Sequence, residues 1–169
     1  MKKAFLSLGS NLGNKIYYIN SGIESIKKLP GTKVLNISSY YETEPWVISD
    51  NNKIKVQDKY INCCVEIMTE FSPEILLGMC LGIETCHGRT REYRCAPRTL
   101  DIDLLLYENE TRDQKNLVLT HPRLLERNFI LIPLKDIFNI NINNTSFGNI
   151  NFKNIFESCN KLGVHKLNL

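Results

Sequence analysis

Two carboxylates set two residues apart carry the clearest chemical signal in the chain. Asp101 and Asp103 stand in the apolar run LDIDLLLY, residues 100–107, directly behind Pro97 and Arg98. In a β-strand, residues i and i+2 share a face, so the two acids point one way while Leu100, Ile102 and Leu104 point the other. Their roots then lie about 7 Å apart, which lets them grip one divalent ion together or one ion each of a pair about 4 Å apart. Hard oxygen ligands suit Mg²⁺ better than Zn²⁺. The Asp-x-Asp alone does not decide the matter, because two solvated carboxylates on an edge strand show the same pattern.

The surroundings add charge of the opposite sign. Arg89, Arg91, Arg94 and Arg98 fall within ten residues just upstream, and Arg112, Lys115, His121, Arg123 and Arg127 follow. Four guanidiniums against two carboxylates leave positive charge over, which a polyphosphate partly neutralised by metal would use. A surface network of Arg–Asp pairs is the plainer alternative. The chain has no G-x-x-x-x-G-K-[ST] and no G-x-G-x-x-G, and GSNLGN at 9–14 lacks the lysine and reads as a strand-to-helix turn. A nucleoside triphosphate would therefore be held by metal and arginines rather than by a glycine loop. Tyr60 and Asn62 share another strand face, where an aromatic beside an amide can stack on a flat heterocycle and pair with its edge. Half-exposed strands also carry such pairs without any ligand. Trp46 reads as a local core anchor, and His121 in THPRL as a helix-start residue.

The elements that must position these groups follow from periodicity. KKAFLSLGS, 2–10, is a buried strand, and Ile16, Ile19, Ile23, Ile26 and Leu29 recur at helical spacing up to Pro30-Gly31, with Asn11 or Asn14 as N-cap. KVLNISSYYET, 33–43, reads as one strand, 47–59 as a long polar loop, and KYINCCVEIMTEF, 59–71, as a third strand. Ser72-Pro73-Glu74 supplies N-cap, N1 proline and an acidic first turn for a helix to about His87. A basic loop leads to the strand RTLDIDLLLY, 98–107. LLERNFILIPLKDIF, 124–138, reads as helical until Pro133, and FKNIFESC, 152–159, as a short helix. The order βαββαβ predicts an α+β, ferredoxin-like fold: an antiparallel sheet with helices on one face, plus C-terminal additions.

With 169 residues, 43% of them hydrophobic, one domain with a real core is expected. A net charge of +3 from 21 basic and 18 acidic residues is far below the load of a domain that lives on nucleic acid. The six cysteines form no C-x-x-C pair, the N-terminal apolar stretch is too short for a secretory leader, and no run of about 18 apolar residues exists. A cytoplasmic protein with free thiols and no membrane or nucleic-acid partner is the expectation.

Taken in order, GSNLG, YETEPW, YIN, IETCHGR, APRTLDIDLLLY and LTHPRLLERNFILIPL resemble the 6-hydroxymethyl-7,8-dihydropterin pyrophosphokinases of the folate pathway, from Phe5 to about Phe138. The resemblance implies transfer of the β,γ-pyrophosphoryl group of ATP to the hydroxymethyl oxygen of 6-hydroxymethyl-7,8-dihydropterin, releasing AMP. It implies two Mg²⁺ ions on Asp101 and Asp103, catalytic roles for Arg89 and Arg98, and ATP contacts from Glu84, Arg91, Arg98, Leu104, His121 and Arg127. It also implies a pterin pocket of Thr43, Pro45, Trp46, Tyr60, Asn62 and Phe129. Because the first strand begins almost at Met1 and the chain ends soon after the matching region, a stand-alone enzyme is the expectation, and a monomer. The sequence departs from the family at Cys95-Ala96, where Trp-Gly is usual, in the long loop 47–59, and at Glu92. Two rivals share the fold class. A Mg²⁺-dependent nucleotidyl transferase or cyclase would release pyrophosphate instead of AMP. An RNA-binding split βαβ sheet would carry an RNP1-like stretch, which the chain lacks, and would not place two aspartates on its platform.

Overall fold

The computed structural model describes residues 1–45, 57–90, 93, 96–139, 147, 150–160 and 162–168. The strand β1, Lys2–Ser10, is buried from Ala4 onward because both of its faces are covered. Helix α1, Lys15–Lys27, starts at Asn14, whose side chain accepts from the Tyr17 amide, and buries Ile19, Gly22, Ile23 and Ile26. Gly22 lets α1 approach the sheet closely, since a Cβ there would sit 2.8 Å from Leu100 Cδ2.

The expected second strand divides into β2, Thr32–Ile37, and β3, Tyr41–Thr43. The register of β2 slips between Val34 and Asn36, and Ser38 then takes over by exchanging bonds with Cys64 from its backbone and its hydroxyl. Both short strands pair with β4, Tyr60–Thr69. Helix α2, Pro73–Cys86, begins with the expected Ser72 cap and Pro73 at its first turn. Strand β5, Asp101–Tyr107, is followed by a hairpin of β6, Arg112–Gln114, and β7, Leu117–Leu119, where sequence reading saw a turn and a short run. A 3₁₀ turn at Leu124–Glu126 leads into α3, Asn128–Ile137, then α4, Phe152–Ser158, and β8, Val164–Lys166.

All pairings in the main sheet are antiparallel, in the order β5-β1-β4-β3-β8 with β2 also on β4. The molecule is thus a mixed α/β protein built on an antiparallel sheet. Helices α1 and α2 cover one face, packing Ile19, Ile23, Ile26, Leu76, Cys80 and Ile83 against Leu6, Leu8, Ile102 and Leu104. The expectation of helices on one face needs widening, because α3 and α4 cover the other with Ile130, Leu131, Leu134, Phe138, Phe152 and Phe156. That face carries Phe5, Cys64, Leu105 and Leu106, and a sheet apolar on both sides requires two layers. The same packing explains why α3 runs through Pro133 to Ile137. The missing amide costs one helix bond, and the buried stripe from Ile130 to Leu134 offsets it.

Among the described residues Cys63, Cys64, Cys80, Cys86 and Cys159 are free thiols. No described helix is long and apolar enough to cross a membrane.

Candidate active site

The register of β1 lays out the site. Gly9 pairs with Asn62 of β4 on one side and with Asp101 of β5 on the other, and Ser7 pairs with Asp103. Asn62, Gly9 and Asp101 therefore form one row across the sheet. An open cleft of about 690 Å³ stands over this row, floored by Ser7 and Gly9. Thr43, Tyr60, Asn62 and Phe129 line one part of it, and Arg98, Asp101, Asp103, Arg123 and Arg127 line another. The two aspartates do share a face, while Leu100, Ile102 and Leu104 lie in the α1/α2 core.

On the side of Tyr60 and Phe129, the Asn62 amide is held rather than free. Its Nδ2 donates to Thr43 Oγ1 at 2.8 Å, and the residue is only 4% exposed. Gly9 makes room for it, since a Cβ there would come within 2.8 Å of Asn62 Oδ1.

On the acidic side, Arg89 bridges Glu84 and Asp101, Arg98 Nε lies 3.0 Å from Asp101 Oδ2, and Arg127 lies 3.7 Å from Asp103 Oδ2. Two of these arginines also touch the aromatic side. The Arg98 guanidinium lies 5.3 Å from the centre of the Tyr60 ring, and that of Arg127 5.5 Å from the centre of Phe129, a distance at which a cation is drawn to a ring face. Arg123 lines the same cleft with no carboxylate partner among the described residues.

Desolvation comes first and the charge of Asp101 second in pushing the Asp103 carboxyl up to about 6. Two carboxylates on one strand face favour keeping a proton until a cation joins them. His121 goes the other way. Burial, then the Arg127 and Arg123 charges, bring its ring down to about 4, so it is neutral at pH 7. Its Nδ1 accepts from the Arg123 amide at 3.3 Å, and its own amide donates to Leu105 O.

Not every expected residue reaches the cleft. Glu84 is 2% exposed and lies behind it, accepting from the Ile102 amide at 2.7 Å while it pairs with Arg89. It holds the strand between the two aspartates instead of lining the opening. Arg89 is likewise under Asp101, with little exposure. The Leu104 side chain sits in the α2 core, because it is adjacent to Asp103 on a strand and must face the opposite way. Pro45 is half-buried beside the pocket's edge residue Glu44. Trp46 and Arg91, together with Glu92, Cys95 and most of the loop 47–59, lie outside the described residues.

Sequence reading missed Ser7, Gly9, Gln57 and the structural role of Asn11. Asn14 takes the helix cap, and Asn11 instead clamps two segments. Its Oδ1 accepts from the Arg98 amide at 2.8 Å, its backbone amide donates to Arg98 O at 3.1 Å, and its Nδ2 donates to Gln57 Oε1 at 3.1 Å. The only signal for Ser7 and Gly9 was their small size alternating with Leu6 and Leu8.

A family model described as 7,8-dihydro-6-hydroxymethylpterin-pyrophosphokinase (HPPK) matches residues 5–139. The chain belongs to the HPPK family. It is 42% identical over 137 residues to the 2-amino-4-hydroxy-6-hydroxymethyldihydropteridine pyrophosphokinase of Methylorubrum extorquens, which covers 81% of this chain and 83% of that protein. The Bacillus subtilis protein of the same name is 38% identical over 134 residues, 79% of this chain and 77% of its own. Among solved structures, Plasmodium falciparum HPPK-DHPS matches with a TM-score of 0.68 at 16% identity, covering 100% of this chain and 48% of that one. At that identity the likeness concerns the fold, and this chain spans about half the length of that structure. The HPPK match takes in every cleft residue named above, from Ser7 to Phe129.

Proposed function

We infer that this cleft runs the HPPK reaction: pyrophosphate passes from ATP to the hydroxymethyl group of 6-hydroxymethyl-7,8-dihydropterin, AMP leaves, and the product enters folate biosynthesis. The observation that carries the reading is the row Asn62–Gly9–Asp101, which sets a held amide and a carboxylate pair side by side over one cleft. In the transfer, the hydroxymethyl oxygen bonds to the β-phosphorus as the bond from that phosphorus to the α-bridging oxygen breaks. The hydroxyl proton is lost and the displaced oxygen stays on AMP. Such a step asks the protein for placement and charge neutralisation more than for a strong base.

The roles of individual residues belong to this proposal. Asn62, fixed by Thr43, reads the pyrimidine edge of the pterin, and Tyr60 and Phe129 flank its plane, with Pro45 and Trp46 closing the pocket. Arg98 and Arg127 exchange their aspartate partners for phosphate oxygens, as Arg91 and His121 help to hold the nucleotide. Arg89 belongs to the same transfer machinery: anchored by Glu84, it meets Asp101 from beneath the cleft.

The donor set fits Mg²⁺. Asp101 and Asp103 offer hard oxygens on one face and leave most coordination positions to substrate and water, as Mg²⁺ prefers, and the Asp103 carboxyl, raised first by desolvation and then by Asp101, would be relieved by a bound cation. Two Mg²⁺ ions, if held by Asp101 and Asp103, would supply positive charge against the triphosphate.

Two finer readings accompany this one. The strand order β5-β1-β4 with β2 and β3 beyond supports a ferredoxin-like core. The free thiols suit a reducing cytoplasm, where we take the chain to act as a single-domain monomer.

The test is direct. The protein with ATP, Mg²⁺ and 6-hydroxymethyl-7,8-dihydropterin should release AMP only when the pterin is present, and Asp101→Ala or Asp103→Ala should abolish it. Release of pyrophosphate from ATP alone would favour the transferase or cyclase reading, and full activity in either variant would remove the metal assignment.

A further inference from the structure

Behind the cleft, one side chain ties α2 to α1 at the point where the arginine-rich segment begins. His87 closes α2, its backbone amide 3.1 Å from both Ile83 O and Glu84 O. Its ring Nδ1 lies 2.7 Å from Ile83 O, and its Nε2 lies 2.8 Å from Ser21 Oγ on α1. A carbonyl only accepts, so Nδ1 carries a proton, and in the neutral ring Nε2 accepts the Ser21 hydroxyl. The chain then turns at Gly88, with φ of +76°, and the Arg89 amide donates back to Glu84 O at 3.1 Å. Only after this turn does the Arg89 side chain reach Glu84 and Asp101.

The last turn of a helix is its weakest part, and α2 has no basic residue in its own last turn to steady it. The Nδ1 bond is local and would hold only the helix end to itself. The Nε2 bond reaches a residue 66 positions away and holds that end to a second helix.

We propose that His87 is a positioning residue for the transfer reaction. Through Ser21 it fixes the end of α2 against α1, and so sets the origin from which Arg89 meets Asp101. The proposal rests on the reading of Arg89 as part of the transfer machinery. A displacement of about 1 Å at such a group can cost up to about a hundredfold in rate.

The experiment separates the two ring bonds. His87→Asn keeps an amide near the Nδ1 position but cannot reach Ser21, whereas His87→Gln places its amide near Nε2. Ser21→Ala removes the partner and leaves the ring. We expect Ser21→Ala and His87→Asn to lower kcat about tenfold with the pterin KM and the thermal midpoint unchanged, and His87→Gln to recover most of the loss. In an Arg89→Ala background, Ser21→Ala should cost nothing further. Wild-type kcat in Ser21→Ala and His87→Asn, alongside a large loss in Arg89→Ala, would overturn the positioning role while sparing the reading of Arg89. An equal loss from Ser21→Ala with and without Arg89 would overturn it too. Wild-type kcat in Arg89→Ala would remove the reading of Arg89 and the proposal with it.

Discussion

Gly9→Ala is the sharpest test of the row across the sheet. The added Cβ would lie 2.8 Å from Asn62 Oδ1, closer than carbon and oxygen approach without a bond, while the other neighbours stand 3.9 and 4.0 Å away. Gly9 has no left-handed backbone conformation to lose, so the effect passes through contact alone. Asn62 is buried, and shifting its Oδ1 out of the way strains or breaks the 2.8 Å bond from its Nδ2 to Thr43. A lost buried hydrogen bond costs about 1 kcal/mol, and a donor left without a partner about 1–3 kcal/mol. If the Asn62 amide reads the pterin edge, a penalty of about 1–3 kcal/mol falls on pterin binding and raises its KM by roughly 5- to 150-fold. The ATP side sits across β1 and keeps its partners, so the KM for ATP should stay within about twofold. The assay is AMP release against pterin concentration at saturating ATP, with isothermal titration of the pterin as a second measure. A folded Gly9→Ala protein with an unchanged pterin KM would refute the reasoning, because the structure leaves no way to fit that methyl without moving Asn62.

Two other perturbations act on the acidic side. With its carboxyl raised to about 6, Asp103 takes up a proton on acidification that a metal must displace, so the stabilisation conferred by Mg²⁺ with a non-hydrolysable ATP analogue should weaken as pH falls from 7 to 5. Without metal, that raised carboxyl makes stability fall as pH rises between about 4 and 6, and neutral His121 makes it rise over much of the same range, so thermal midpoints should be compared with Asp103→Asn. Equal Mg²⁺ effects at pH 5 and 7 would contradict the assignment. Glu84→Ala should destabilise the fold by about 1–3 kcal/mol in chemical denaturation, since it leaves the Ile102 amide without its buried acceptor and Arg89 with Asp101 alone. A loss below about 1 kcal/mol would mean that water replaces the carboxylate.

The helices and the central strands were legible because their signals were local. Ser72-Pro73-Glu74 and the spacing of Ile19, Ile23 and Ile26 state where α2 and α1 begin and which faces they bury. The aspartate pair was legible for the same reason, since strand geometry alone puts Asp101 and Asp103 on one face. What escaped depended on partners distant in sequence. β8 exists because β3 offers it an edge, and β3 is separate from β2 because Ser38 finds Cys64. Asn11 looked like one of two capping candidates, and nothing nearby in sequence says that its amide would instead meet Arg98 and Gln57. The resemblance implies an ATP contact for Glu84. Its burial follows from the meeting of α2 and β5, which no pattern within either segment encodes.

The floor of the cleft shows how site and core constrain each other. Neighbouring strands lie about 4.8 Å apart, so Asn62 and Asp101, which flank Gly9, stand about 10 Å apart on a row that only the sheet's own hydrogen bonds can move. The amide proposed to read the heterocycle and the carboxylate proposed to hold metal are thereby kept at a fixed separation without any loop to position them. Along β1, Leu6 and Leu8 go into the α1/α2 core, and Ser7 and Gly9 go to the cleft. A slip of one residue in this strand would exchange the two sets, burying a serine and a glycine beneath the helices and filling the cleft with leucines. The hydrophobic cost of that exchange protects the register, and the register places the row. The small residues under the cleft are thus held in place by the large ones on the opposite face, and LSLGS carries the core and the cleft floor in a single alternation.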